Sequence, residues 1–168
     1  MLKRFYPKKC VDSTYEIPFE KFRDKGIRGV IFDIDNTLVP HGKPADARAL
    51  ALFSRLKELG MNTCLLSNNK EPRVASFAKQ VESGYIFKGG KPGVKNYRKA
   101  MENMGTDENT TIFVGDQLFT DVYGANRAGV YSILVKPIHP KEEIQIVMKR
   151  KLEAVVLYFY KRDCRKKK

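Results

Sequence analysis

A doubly wound α/β domain, a parallel sheet with helices on both faces, is the fold class this sequence predicts. Three observations carry that expectation. From Gly26 onward, short apolar runs alternate with amphipathic stretches of helical period, the signature of strand–helix–strand units. The 168 residues, 42% of them hydrophobic and 11% aromatic, suit one domain with a sizeable core. No internal repeat and no break in composition marks a second domain.

In order, "GVIFDID" (29–35) reads as the first strand of this series. "DARALALFSRLKELG" follows as a helix, with Leu50, Phe53, Leu56 and Leu59 on one face and Gly60 at its stop. "MNTCLLSNN" is the second strand and "EPRVASFAKQV" the second helix, with Pro72 in its first turn. "GYIFKGG" is a short third strand, "GVKNYRKAMENMG" a helix closed by Gly105, and "TTIFVGD" a fourth strand. "LFTDVYGANRAG" predicts one further helix and "YSILVKP" a fifth strand. Three segments result: a basic N-terminal extension (1–25), a core (26–140), and a basic amphipathic helix with its tail (141–168).

Charge is concentrated at the ends. Thirty-two Lys/Arg against nineteen Asp/Glu give +13 at pH 7. Residues 1–30 hold eight basic and four acidic side chains, and residues 141–168 ten and four. Such ends favour anionic partners: phosphates, nucleic acid or acidic lipid headgroups. Cys10, Cys64 and Cys164 are odd in number and widely spaced, which argues against a disulfide framework or a zinc site and for a reducing cytosol. The N-terminal "MLKRFYPKKC" lacks the apolar segment of a secretion signal, and no apolar run approaches the roughly 20 residues needed to span a bilayer. A cytoplasmic protein, with possible peripheral attachment to the inner face of the membrane, is the expectation.

In open α/β sheets, ligands bind beyond the carboxyl ends of the strands. Each predicted strand end here carries chemistry: Asp33 and Asp35 on the first, Ser67 and Asn68 on the second, and Asp116 on the fourth. The "KGGKPG" loop, with Lys91, follows the third. These residue types suit phosphoryl transfer. A carboxylate can attack phosphorus, and a second acid can protonate the leaving oxygen and then deprotonate water. Clustered carboxylates supply hard oxygen ligands for Mg²⁺. Ser67 and Lys91 can hold phosphoryl oxygens as charge develops.

The order "DIDNT", "LLSN", "KP" at Lys91 and "VGDQLFTD" resembles the four motifs of the haloacid dehalogenase-like (HAD) superfamily, over roughly Gly29 to Val135. The resemblance implies a Rossmann-like core. It makes Asp33 the nucleophile and a metal ligand, and Asp35 the general acid/base that also offers its backbone carbonyl to Mg²⁺. It places Ser67, Asn68, Lys91 and Thr37 about the phosphoryl group, with Thr37 also steadying the loop and Lys91 steadying Asp33. Asp116 and Asp121 would complete the metal site.

Taken singly, each residue has a plainer explanation. Asp121 and the Ser67–Asn69 run could be helix caps or turn formers. Lys91 could be solvated, and His41 and His139 sit in no metal-like spacing. These explanations do not account for four groups at matching strand ends.

Only 31 residues separate Asp35 from Ser67, and 23 separate Ser67 from Lys91, so neither interval holds a large cap domain. An open site suits a large or interface-bound substrate. The segments "YEIPFEKFRDKGIRGVIFDIDNTLVPHG" and "GDQLFTDVYGANRAG" resemble the YqeG-type phosphatases of HAD subfamily III, which are similar to mitochondrial phosphatidylglycerophosphate phosphatases. That resemblance implies removal of the terminal phosphate from phosphatidylglycerophosphate. Asn36, Asn69, Arg73, Gln117 and Arg127 are candidates for headgroup contacts, Arg127 alternatively bracing its own helix.

Toward the C-terminus, Ile144, Met148, Leu152, Val155 and Phe159 form a stripe. It either packs on the domain's own sheet, the commonest fate of such a face, or lies on an anionic membrane. Two rival functions stand beside the lipid phosphatase. One is a phosphatase for nucleic-acid ends or nucleotides. The other is a non-catalytic binder of phosphate or RNA, which would need no nucleophile.

Overall fold

The computed structural model describes residues 2–139 and 144–166. The boundary expected at residues 140/141, the side chain of Ile144 and the last two residues of the "RKKK" tail lie outside the described residues. Six strands form one sheet in the order β1-β6-β5-β2-β3-β4, every pairing parallel. They are β1 (Lys9–Val11), β2 (Gly29–Phe32), β3 (Asn62–Leu66), β4 (Gly84–Ile86), β5 (Thr111–Gly115) and β6 (Tyr131–Val135). The helices are α1 (Phe19–Asp24), α2 (Ala47–Glu58), α3 (Glu71–Val81), α4 (Lys95–Met104), α5 (Tyr123–Arg127) and α6 (Ile144–Arg165). The doubly wound parallel sheet is as expected, and no cap domain interrupts it.

Each central strand divides its side chains between two cores, because successive Cβ atoms point to opposite faces. Val30, Phe32, Leu65, Ile112 and Val114 join one core with Phe19, Phe53, Leu56, Val74 and Phe77 from α1, α2 and α3. Ile31, Cys64, Leu66 and Phe113 join the other with Tyr97, Met101 and Met104 from α4 and Ala125 from α5. The strands are apolar at consecutive positions because helices cover both faces.

Local signals set the helix ends. The Asp46 carboxylate caps α2 by accepting from the Ala49 amide at 2.9 Å, and Gly105 ends α4 in the left-handed conformation with φ +67°. The third strand stops at Ile86, earlier than the apolar run suggests, because Lys88 and Gly90 turn the chain with positive φ. The single helix expected over 118–129 begins instead as a π-helical turn, Leu118–Val122, and continues as α5.

The N-terminal residues do more than extend the core. Lys9–Val11 add β1 to the edge of the sheet beside β6, and Ile17 and Phe19 are buried in the first core. The Thr14 hydroxyl donates to the Thr37 carbonyl at 2.7 Å, and the Tyr15 hydroxyl donates to the Leu38 carbonyl at 2.6 Å. These bonds hold the loop that follows β2.

At the C-terminus, Val156 of α6 is buried with Leu118, Val122 and Leu134. The stripe sits on the other side: Met148, Leu152 and Val155 are 66%, 62% and 54% exposed. The expectation that this stripe packs on the sheet is therefore overturned. Both sides of α6 carry apolar residues, and the side that packs is the one bearing Glu153, Val156 and Leu157.

Candidate active site

The chain runs outward from β2 through β3 to β4, then returns to lay β5 and β6 on the other side of β2. The sheet therefore reverses direction between β2 and β5, the position where open α/β sheets bind ligands. Asp33 follows β2 and Asp116 follows β5, so the topology alone brings these two carboxylates together. Asp33, Asp116 and Asp121 are buried, and one oxygen of each lies within 4.8 Å of the others. The chemistry and spacing of this donor set fit a hard divalent cation.

Lys91 is set among these carboxylates. Its Nζ donates to Asp33 Oδ1 at 2.7 Å and to Asp121 Oδ1 at 2.6 Å. Burial alone would lower the Lys91 pKa, but Asp121 and Asp33 outweigh it and raise it, so the ammonium stays charged. Asn68 fixes the Lys91 backbone from both sides. It accepts from the Lys91 amide at 2.9 Å and donates to the Lys91 carbonyl at 3.3 Å. Asn68 thus positions the lysine that bridges Asp33 and Asp121, its exposed side chain lying at the rim.

Burial raises the Asp33 carboxyl to about 7, against the lowering effect of Lys91 and with a further rise from Asp121. Burial raises Asp116 as well, with Asp121 and Asp33 adding repulsion. Ionised together, these carboxyls repel one another in a poorly solvated site, and a bound cation would relieve that repulsion.

Asp121 is fixed at both oxygens, since its Oδ2 also accepts from the Gln117 amide at 3.0 Å. Its carboxylate lies so close to Gly115 that a Cβ there would fall 2.5 Å from Oδ2. Glycine at the end of β5 is what lets Asp121 reach Lys91. Thr37 is buried and its hydroxyl donates to Asp116 Oδ1 at 3.1 Å, so it orients a carboxylate. Ser67 is buried at the end of β3, where its hydroxyl accepts from the Asn69 amide at 3.1 Å.

Asp35 faces the rim. It accepts from the Gly42 amide at 2.8 Å, Arg73 at 2.9 Å and Asn69 Nδ2 at 3.3 Å. Partial burial would raise its pKa, but the Gly42 amide and Arg73 outweigh that and hold the carboxyl below the usual range. The side chain lies outside the three-carboxylate cluster. Of the candidate headgroup residues, Asn69 and Arg73 reach Asp35, while Arg127 is exposed and donates to the Pro92 carbonyl at 3.1 Å. The Asn36 backbone turns the loop with φ +63°, a conformation asparagine tolerates better than most residues. The Gln117 side chain accepts from the Thr120 hydroxyl at 3.1 Å. His41 is exposed with Nδ1 4.0 Å from Asp35, and neither it nor His139 belongs to the carboxylate cluster.

Sequence reasoning missed Arg150. From α6 it pairs with the Asp116 carboxylate and donates to the Asp116 carbonyl at 2.5 Å. Glu153 binds the same guanidinium at 2.9 Å and accepts from the Leu118 amide at 2.7 Å. The pair clamps α6 to the loop that presents Asp116. The one available signal was an Arg-x-x-Glu spacing on a helix, which is common on solvated surfaces.

The carboxyl edge is not the most cavernous part of the molecule. A cleft of about 600 Å³ opens at the opposite edge, lined by Ser54, Lys57, Asn62 and Glu82 among others. It gathers no cluster of carboxylates comparable to that around Lys91, so the chemistry, not the volume, identifies the site.

Comparison with known proteins agrees with this geometry. Residues 89–145 match the model of the HAD-hydrolase-like family. The chain is 36% identical over 164 residues to a Bacillus subtilis (strain 168) protein named probable phosphatase YqeG, spanning 96% of this chain and 95% of that one. It is 29% identical over 162 residues to phosphatidylglycerophosphate phosphatase 1, chloroplastic/mitochondrial, of Arabidopsis thaliana, spanning 90% of this chain but 47% of that protein. A similar solved structure is 3-deoxy-D-manno-octulosonate 8-phosphate phosphatase from Moraxella catarrhalis, in complex with magnesium, phosphate and a KDO molecule. It has a TM-score of 0.53 at 18% identity, spanning 69% of this chain and 73% of that one, a likeness of fold.

Proposed function

We propose that this chain, which belongs to the HAD-like hydrolases and is a phosphatase, acts with Mg²⁺ on phosphatidylglycerophosphate and leaves phosphatidylglycerol. One observation carries the catalytic part. Asp33, at the point where the sheet reverses, is buried with Lys91 Nζ 2.7 Å from one of its oxygens. Lys91 thereby fixes the carboxylate and leaves the second oxygen to attack phosphorus.

In the first displacement, an Asp33 oxygen forms a bond to phosphorus as the ester P–O bond breaks, and Asp35 gives its proton to the departing lipid oxygen. In the second, Asp35 takes a proton from water as that water attacks the aspartyl-phosphate, and inorganic phosphate leaves. The low pKa of Asp35 suits the base role, and an approaching phosphate dianion raises it toward the acid role. Ser67 and Lys91 stand where phosphoryl oxygens can be held. Asp33, Asp116 and Asp121, with the Asp35 carbonyl, would hold the divalent ion, which neutralises phosphoryl charge.

The lipid assignment is supported by the absence of a cap domain, which leaves the carboxyl edge accessible to a bulky substrate, and by the likeness to a lipid phosphatase. The test is phosphate release in mixed micelles with Mg²⁺, alongside oligonucleotides phosphorylated at their ends and a soluble aryl phosphate. The lipid should be the preferred substrate, and Asp33→Asn should lower its turnover by at least ~10³-fold, the scale of losing a covalent nucleophile. Preference for oligonucleotide ends would overturn the lipid assignment and keep the phosphatase.

A further inference from the structure

We infer that the outward face of α6 is a docking surface for an anionic lipid bilayer, and that the Arg150 clamp ties this surface to the catalytic carboxylates. The first observation is segregation of character around the helix. Val147, Met148, Leu152, Val155 and Tyr158 are all exposed, the last at 66%. Lys149, Lys151, Lys161, Arg162 and Arg165 are exposed with them. The helix has only two acidic residues, and both are engaged: one is buried, and the other, Asp163, is half-buried beside Arg162 at 3.8 Å. Glu153 is buried against Arg150 and the Leu118 amide, and Asp163 accepts from the Tyr6 hydroxyl at 3.0 Å.

A surface of large apolar side chains and cations, with Asp163 beside Arg162 its one acid, is what an interfacial helix presents to anionic headgroups. Tyr158 is of the amphipathic type enriched at that depth. The other occupants fit less well. Nucleic acid would match the five cations but leave the apolar side chains in contact with phosphates and water. A second copy packed face to face across a two-fold axis would bring the same five cations against themselves. No described helix is long and apolar enough to cross a membrane, so α6 would lie on the surface.

The second observation is the clamp. Arg150 and Glu153, on the packed side of the same helix, grip the backbone and side chain of Asp116 and the Leu118 amide. A helix seated in the headgroup layer thus holds the loop of a metal-binding carboxylate about one helix diameter, roughly 10–12 Å, away. The membrane becomes a partner of the site.

The inference rests on the proposed lipid substrate only for its biological purpose, because docking requires no turnover. Co-sedimentation is measured with vesicles of equimolar phosphatidylglycerol and phosphatidylcholine, and with phosphatidylcholine alone. The wild type should bind the anionic vesicles far better than the neutral ones. Leu152→Glu with Val155→Glu should weaken that binding at least ~10-fold, while an unchanged thermal midpoint certifies the fold. Lys149→Glu with Lys151→Glu is the second variant and should also weaken it. Asp33→Asn should bind like the wild type.

Binding unaffected by either double variant, or equal on the two vesicle types, overturns the inference. So does a dimer in solution that Leu152→Glu with Val155→Glu converts to monomer without vesicle binding. Turnover of micellar lipid without vesicle binding would sink the docking surface alone. Vesicle binding without lipid turnover would sink the substrate alone.

Discussion

At the amino edge of the sheet two neutral polar side chains at strand starts each find a neutral partner, whereas at the carboxyl edge three buried carboxylates share two cations. Asn62 donates to the Met104 carbonyl at 2.8 Å, and the fully buried Thr111 donates to Thr106 Oγ1 at 2.8 Å. Opposite them, Asp33, Asp116 and Asp121 pair with Lys91 and Arg150, the side-chain cations within ion-pair distance among the described residues. The amino edge closes the fold. The carboxyl edge concentrates negative charge in a site of low polarity, where a divalent ion and a phosphoryl group can use it. Stability and function therefore draw on opposite ends of the same strands.

The sharpest way to break this contrast is to remove the cation shared by two carboxylates. Lys91→Met keeps the side chain's bulk and strands the charges of Asp33 and Asp121. Breaking a buried ion pair from one side costs about 3–5 kcal/mol, and the metal-free protein should melt roughly 10 °C lower. Turnover should fall about 10²–10³-fold, as when a preorganised donor is lost. Thermal melting and steady-state rates on the same preparation check both. A melting midpoint equal to the wild type would show that the carboxylates do not depend on this lysine.

The legibility of the molecule follows the same division. Asp33, Ser67 and Asp116 were readable because each closes an apolar run, and the alternation of elements says those ends share one edge. Lys91 was readable as the cation of the loop after the third strand. β1 was not, because Lys-Cys-Val has no pattern of its own and becomes a strand only by pairing with β6. The structural role of the N-terminal segment was lost with it. Arg150 was hidden by distance, lying 34 residues from Asp116, on a helix with apolar residues on both sides. The three-to-four-residue period picked out the stripe through Met148, Leu152 and Val155, which is the exposed side. Arg73 looked like a headgroup contact because nothing local reveals that α3 aims it back at Asp35.

Removing a carboxylate should have the opposite sign to removing the lysine. Asp33→Asn deletes one of three mutually repelling charges while Lys91 keeps Asp121. The folded Asp33 carboxyl sits at about 7, above its ordinary 3.8, so its ionised form opposes folding. That cost is fully present above about pH 7 and is relieved as the pH falls toward the unfolded value. The metal-free variant should therefore be more stable than the wild type by on the order of 1 kcal/mol, about 2–4 °C, above neutrality. The gap should shrink on acidification, and Mg²⁺ should favour the wild type by binding its native state. Melting curves across pH, with and without the ion, measure it. A variant less stable than the wild type at every pH would refute the account of frustrated charge.

The smallest effect belongs to the amino edge and tests whether the two ends are separable. Thr111→Val preserves the shape and β-branching of a buried residue at the start of β5 and removes one donor. Thr106 Oγ1 loses that donor but keeps its own bond to the Met101 carbonyl at 3.4 Å, so no buried group is left wholly stranded. The loss should be about 0.5–1.5 kcal/mol, the net worth of a neutral hydrogen bond. Asp116 stands at the other end of the same strand, just beyond Gly115. If β5 transmitted strain along its length, turnover of a soluble phosphate ester would change with the melting temperature. A parallel strand paired on both sides, with β2 and β6, resists such sliding, so the midpoint should drop while the rate stays that of the wild type. A rate that fell with stability would show that the two edges are one cooperative unit.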